Sequence, residues 1–183
     1  MSILFVNACV RENSRTLVLA KSIMKDMIGD ITEVDLNSEN ITHLDRGLLE
    51  KREHLIGEEI LDDPMFRYAK QFAEADEIVI AAPFWDLSFP SVLKIYIEQI
   101  AVPGITFAYR NGRPEGLCKA GSLTYVTTSG GPILEDFGYT YVKALAKNFY
   151  GIEKTVLVRA MNLDIEMISG EELLQRAKLS VIE

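Results

Sequence analysis

Three short clusters hold the side chains best suited to chemistry. Arg11-Glu12-Asn13-Ser14-Arg15-Thr16 sets guanidinium groups, an amide and hydroxyls just ahead of an apolar helical run. The unpaired N–H groups and dipole of a helix start favour an anion there, and a phosphate is the natural guest. Pro83-Phe84-Trp85-Asp86-Leu87 follows a continuous apolar strand and spends aromatic surface at a rim position. That suits a planar, largely apolar ligand better than it suits water. Thr128-Ser129-Gly130-Gly131 ends another apolar strand, and its glycines let backbone approach a ligand and aim N–H groups at ring carbonyl oxygens. Each cluster also has a plain structural use. Asn13 or Ser14 suits a helix cap, Phe84 and Trp85 suit cover for a sheet edge, and the glycine pair suits a tight turn.

These clusters sit where β-α units would place them. Ile3 to Ala8 reads as a buried strand, and Leu17, Val18, Ala20, Ile23, Met24 and Met27 as the helix after it. Ile31–Leu36, which alternates, Ile78–Ala81, Ser122–Thr127 and Thr155–Val158 supply four more strands, and the continuous apolar run of Ile78–Ala81 predicts burial on both faces. Helices are expected from Pro64, from Pro90 to Ile100, through Tyr141 to Phe149, and over Gly170–Ala177. Asn111-Gly112 predicts a hairpin ribbon near residues 106–117. Residues 37–64 read as a charged surface excursion with a short helix around Leu48–Leu55. The expectation is one domain over residues 1–183: an α/β, flavodoxin-like three-layer sandwich with a parallel five-stranded sheet in the order 2-1-3-4-5. That order brings the three clusters to one crevice at the strands' carboxyl ends.

Composition removes several function classes. A formal charge of -8, from 19 basic and 27 acidic residues, ill suits a nucleic-acid backbone or an anionic membrane surface. No signal peptide or spanning segment is legible, and Cys9 and Cys118 form no CxxC, so a reducing cytoplasm is expected. His43 and His54, with Asp45 or Glu58, do not make a zinc spacing, so no metal is expected. Cys9 falls near the end of the first strand, where it could line the crevice, but no histidine base accompanies it. GxGxxG and Walker A loops are both missing.

The chain resembles the FMN-dependent NAD(P)H oxidoreductases of the azoreductase and quinone-reductase group, a branch of the flavodoxin-like fold. The likeness is sharpest at NSRT (13–16), PFWDLSFPSVLKIYIEQI (83–100), GITFAYRNGRPEGL (104–117) and TTSGG (127–131). It implies that Arg11, Asn13, Ser14 and Thr16, with Arg15 beside them, surround the FMN phosphate. It further implies that Pro83, Phe84, Trp85, Asp86 and Leu87 support the isoalloxazine, and that Thr128, Ser129, Gly130 and Gly131 meet its pyrimidine side. Asp86 stands where the family often has asparagine, so either its side chain or its backbone N–H would make the contact near flavin N5. Ser129 stands where azoreductases carry an arginine.

The resemblance also implies a homodimer with active sites at the subunit boundary, completed by Phe107 and Tyr109 of the ribbon with Tyr141 and Phe149. NADH or NADPH and a quinone, azo compound or similar flat acceptor would use one pocket in turn, by two-electron ping-pong transfer. No side chain is then required as an acid or base, and the catalytic set is empty. Two other classes share the fold: an electron-transfer module without its own NAD(P)H oxidation, and a non-redox protein that has lost the cofactor.

Overall fold

The apolar run beginning at Ile3 forms the second strand position of a parallel sheet in the computed structural model, which describes residues 1–165 and 169–178. Residues 166–168 and 179–183 of the expected domain lie outside the described residues. The elements run β1 (Ser2–Asn7), α1 (Arg15–Met24), β2 (Asp30–Asp35), α2 (Arg46–Gly57), a 3-10 turn (Pro64–Phe66), α3 (Arg67–Glu74), β3 (Glu77–Ala81) and α4 (Ser91–Ile100). There follow β4 (Phe107–Arg110), β5 (Arg113–Gly116), β6 (Ser122–Thr128), α5 (Phe137–Leu145), a π turn (Ala146–Tyr150), β7 (Lys154–Ala160) and α6 (Gly170–Lys178). The sheet order is β2-β1-β3-β6-β7, all parallel. With the two hairpin strands set aside, that is the 2-1-3-4-5 order of a flavodoxin-like sandwich.

Successive strand residues point to opposite faces, so one sheet feeds two cores. Leu4, Val6, Ile78, Ile80, Leu123, Tyr125 and Leu157 pack with Phe72, Tyr96 and Val142 of α3, α4 and α5. Ile3, Phe5, Val79, Val126 and Val158 pack with Leu19 and Met24 of α1 and Leu173 of α6. No helix among the described residues is long and apolar enough to cross a membrane.

The charged excursion is fastened at α2, which is longer than its Leu48–Leu55 pattern predicts. Asp45 caps its start by accepting from the Leu48 N–H at 2.8 Å. Arg52 donates to the Glu98 and Ala101 carbonyls, at 2.8 and 2.5 Å, where α4 ends. A cation at a helix C-terminus satisfies orphan carbonyls and opposes the dipole.

Asn111 and Gly112 carry φ of 52° and 75°, the pair of left-handed residues that a two-residue hairpin turn requires. The ribbon does not stand free. A Cβ on Gly116 would lie 2.1 Å from the Tyr150 carbonyl carbon and the Gly151 nitrogen, so backbone meets backbone. Phe107 is 5% exposed, edge-on to Tyr109 and Phe149 at 5.4 and 5.3 Å. Phe107, which the resemblance places at a partner's site, is thus covered within its own chain by the π turn carrying Phe149. Tyr109 is exposed, and Tyr141 lies against Phe89 at 6.0 Å.

Candidate functional site

The β1–α1 loop, the β3–α4 loop and the turn after β6 converge on one cavity of about 180 Å³, joined by the loop after β7. Each contact between loops is visible. The Thr16 and Thr128 hydroxyls are 2.7 Å apart. The Phe84 N–H donates to the Thr128 carbonyl at 3.0 Å. The Arg11 guanidinium lies 6.0 Å from the centre of the Trp85 ring, within range of a cation–π attraction. Arg15 donates to the Leu163 carbonyl at 2.8 Å and pairs with Asp164 at 2.5 Å.

The start of α1 lines the cavity. Ser14 caps it, its Oγ accepting from the Leu17 N–H at 3.3 Å. Capping does not use up the loop, because Arg11 and Asn13 stay exposed and also line the cavity. Arg15, by contrast, is committed to the loop after β7.

Two other turns offer unused donors. Trp85 and Ser88 exchange backbone hydrogen bonds at 3.1 and 2.8 Å, closing a turn in which Asp86 and Leu87 have φ of 51° and 64°. Non-glycine residues in that region cost about 1–3 kcal/mol each, so the surroundings must hold them there. Part of that hold is the Phe137 N–H, which donates to the Leu87 carbonyl at 3.0 Å. Among the described residues, the N–H groups of Asp86, Leu87, Gly130 and Gly131 have no protein acceptor. Donors left free at the tips of two turns beside a cavity are suited to oxygen atoms of a ligand.

The cavity thus brings together Arg11, Asn13, Ser14, Arg15, Thr16 of the first loop, Pro83, Phe84, Trp85 of the second, and Thr128, Ser129, Gly130 of the third. Asp86, Leu87 and Gly131 are not among its lining residues, and Asp86 and Leu87 are exposed. Cys9 is not a lining residue either. It is buried in the α1 core, with Sγ 3.7 Å from the Ala81 carbonyl, and burial pushes its thiol up to about 11. That corrects the expectation that Cys9 could line the crevice. Phe107, Tyr109 and Tyr141 do not line it. Asp164 is the lining residue that sequence reading missed. It follows the carboxyl end of the last strand, which is the position rule that singled out the other loops. Among the described residues no group of three or more His, Cys, Asp or Glu side chains could hold a metal ion.

Comparison with known proteins agrees with this fold. Residues 1–183 match the family model described as the flavodoxin-like fold. An FMN-dependent NADH:quinone oxidoreductase of Coprothermobacter proteolyticus is 34% identical over 187 residues, covering 95% of this chain and 91% of its own. One from Clostridium perfringens is 32% identical over 180 residues, covering 93% and 90%. The crystal structure of an FMN-dependent NADH-azoreductase from Bacillus anthracis in complex with FMN is similar with a TM-score of 0.78 at 26% identity, covering 97% and 94%. The chain belongs to the flavodoxin-like fold family.

Proposed function

We propose that this protein is an FMN-dependent oxidoreductase that takes electrons from NADH or NADPH and reduces quinones, azo compounds or similar flat aromatic acceptors. The observation that carries this reading is one cavity lined by Arg11 and the start of α1, by the aromatic pair Phe84 and Trp85, and by Gly130, whose N–H has no acceptor among the described residues. Those features match the three parts of FMN: a phosphate, an apolar tricycle and a pyrimidine edge bearing carbonyl oxygens. Relatives named as FMN-dependent NADH:quinone oxidoreductases, and an azoreductase structure containing FMN, have the same fold.

Bound FMN would supply a two-electron carrier able to serve a nicotinamide donor and an aromatic acceptor in turn. The chain's own part is positioning. Arg11, Asn13, Ser14 and the α1 N–H groups hold the phosphate, with Arg15 and Thr16 shaping that end. Phe84 and Trp85 exclude water from one side of the ring. The N–H groups of Gly130 and Gly131 stabilise negative charge that develops on the pyrimidine side. No side chain is asked to move a proton; the Cys9 thiol, held protonated and out of the cavity, takes no part.

The active unit is a homodimer. A cavity of about 180 Å³ is smaller than the roughly 300–1,000 Å³ that encloses a ligand of this size, so a second surface would complete it. Leu87 of the β3–α4 turn and Phe137, joined by a backbone hydrogen bond, are 48% and 56% exposed, the kind of apolar surface a partner copy buries. The free thiols of Cys9 and Cys118 fit a cytoplasmic protein.

Steady-state kinetics with NADH and a benzoquinone test the reading. Parallel double-reciprocal lines and mutual competition at high concentration are expected. Dependence on a ternary complex would overturn the shared pocket, and sedimentation at the 20.5 kDa of one chain would overturn the dimer.

A further inference from the structure

The start of α5 carries N–H groups that the helix itself cannot pair, and each of the first three has a specific acceptor. That of Phe137 donates to the Leu87 carbonyl at 3.0 Å. Those of Gly138 and Tyr139 donate to Oδ1 of Asp136 at 2.9 and 2.8 Å. Asp136 thereby fixes the turn of helix from which the Phe137 N–H reaches across to the β3–α4 turn. Packing ties the same two pieces together. A Cβ on Gly138 would lie 3.0 Å from the Tyr125 hydroxyl and 3.4 Å from Phe89 Cδ1, so the helix start sits close against both β6 and the segment after the turn. Tyr141, one helical turn on, has its ring 6.0 Å from that of Phe89.

What this helix start holds is strained and borders the cavity. Asp86 and Leu87 keep φ of 51° and 64°, a conformation that persists only where the surroundings over-determine it. Trp85, whose backbone closes the turn with Ser88, lines the cavity. Among the described residues, the Phe137 bond is the one backbone hydrogen bond that reaches residues 85–88 from another element.

We propose that Asp136 is a positioning residue: by holding the first turn of α5 it aims the Phe137 N–H at Leu87, and so sets the left-handed turn and the place of Trp85 against the cavity. The consequence for ligand binding rests on the proposed flavin site. A turn that must be rebuilt on binding lowers apparent affinity in proportion to the fraction of molecules in which it is already formed.

Trp85 is the only tryptophan of the chain, so near-ultraviolet circular dichroism reports this turn in the ligand-free protein, and fluorescence titration gives the Kd for FMN. D136A should change the Trp85 band and raise that Kd at least about fivefold. D136N keeps an oxygen able to cap, and the Asp136 Oδ2 that it replaces has no partner among the described residues, so it should restore both. D45A, which removes the cap of α2, should move neither. F137P removes the N–H at a position where proline suits a helix start, whereas F137A keeps it. Both lose the ring, and only F137P should reproduce D136A, which decides the question should D136A not fold. A Trp85 band and Kd in D136A equal to those of D45A, or F137P indistinguishable from F137A, would overturn the inference. Failure of the wild-type chain to bind FMN would overturn the functional reading, and the Trp85 band would then decide this inference alone.

Discussion

The hydroxyls of Thr16 and Thr128 lie 2.7 Å apart in the interior, joining residues 112 positions apart in sequence. Thr16 is fully buried and Thr128 nearly so. The bond fixes the start of α1 against the end of β6, and thereby the first loop of the cavity against the third. Removing one hydroxyl leaves the other buried without its partner, which costs about 1–3 kcal/mol. T16V and T128V should each lower stability by that amount, and the double variant by less than the sum. Urea unfolding of the four proteins measures the coupling; strict additivity would mean that the hydroxyls do not interact.

The first loop should matter more to the ligand than to the fold. Replacing Asn13 and Ser14 together with alanine removes one helix cap, worth about 1 kcal/mol, along with polar groups that line the cavity. FMN affinity should fall at least tenfold while unfolding shifts only by the cap's worth. Titration and urea unfolding on the same preparation separate the two effects, and unchanged affinity would remove this loop from the site.

The ribbon depends on Gly116. Any side chain there would drive a Cβ into the backbone of Tyr150 and Gly151, and backbone cannot rotate away as a side chain can. G116A should destabilise the protein by at least about 2 kcal/mol and expose Phe107 and Phe149, which now cover each other. A substitution at the exposed Arg113 serves as the control; equal thermal midpoints for the two variants would contradict the packing described.

Both thiols should be silent in the native protein. Burial pushes Cys9 up to about 11, a hydrogen bond from Ser14 offsetting part of the rise, and pushes Cys118 up to about 12. The thiolate is the reactive form, so iodoacetamide at pH 8 should label neither cysteine until urea is added. Because the folded values lie above the unfolded ones, the native state keeps protons that the unfolded chain releases. Stability from this source is complete below about pH 9 and declines as pH rises towards the folded values. Replacing both cysteines with serine should flatten that alkaline decline, as unfolding curves from pH 8 to 10.5 would show.

Local signals carried most of the fold. The apolar spacing after Pro90 predicts a helix over 91–100, and α4 occupies those residues. Asn111-Gly112 predicts the ribbon's turn, and both residues have the left-handed backbone it needs. What sequence did not show depends on distant partners. Asp86 and Leu87 form a left-handed turn with no glycine to announce it, held by the Trp85–Ser88 bonds and by Phe137 fifty residues on. The burial of Phe107 is not legible locally because its cover, Phe149, comes from a turn far along the chain. Asp164 joins the cavity only because β7 lies beside β6 and its following loop bonds back to Ser129 and Gly130. The loops themselves were legible because they follow strand ends; their cross-links were not.

The proposed function requires these loops to hold one flat phosphorylated redox ring able to accept electrons from a nicotinamide. Stopped-flow mixing of the FMN-loaded protein with NADH under anaerobic conditions tests it most directly. Stoichiometric FMN uptake is predicted, then bleaching of the flavin absorbance within a turnover time and its return when benzoquinone is added. No FMN uptake, or a bound flavin that NADH leaves yellow on that timescale, would contradict the account.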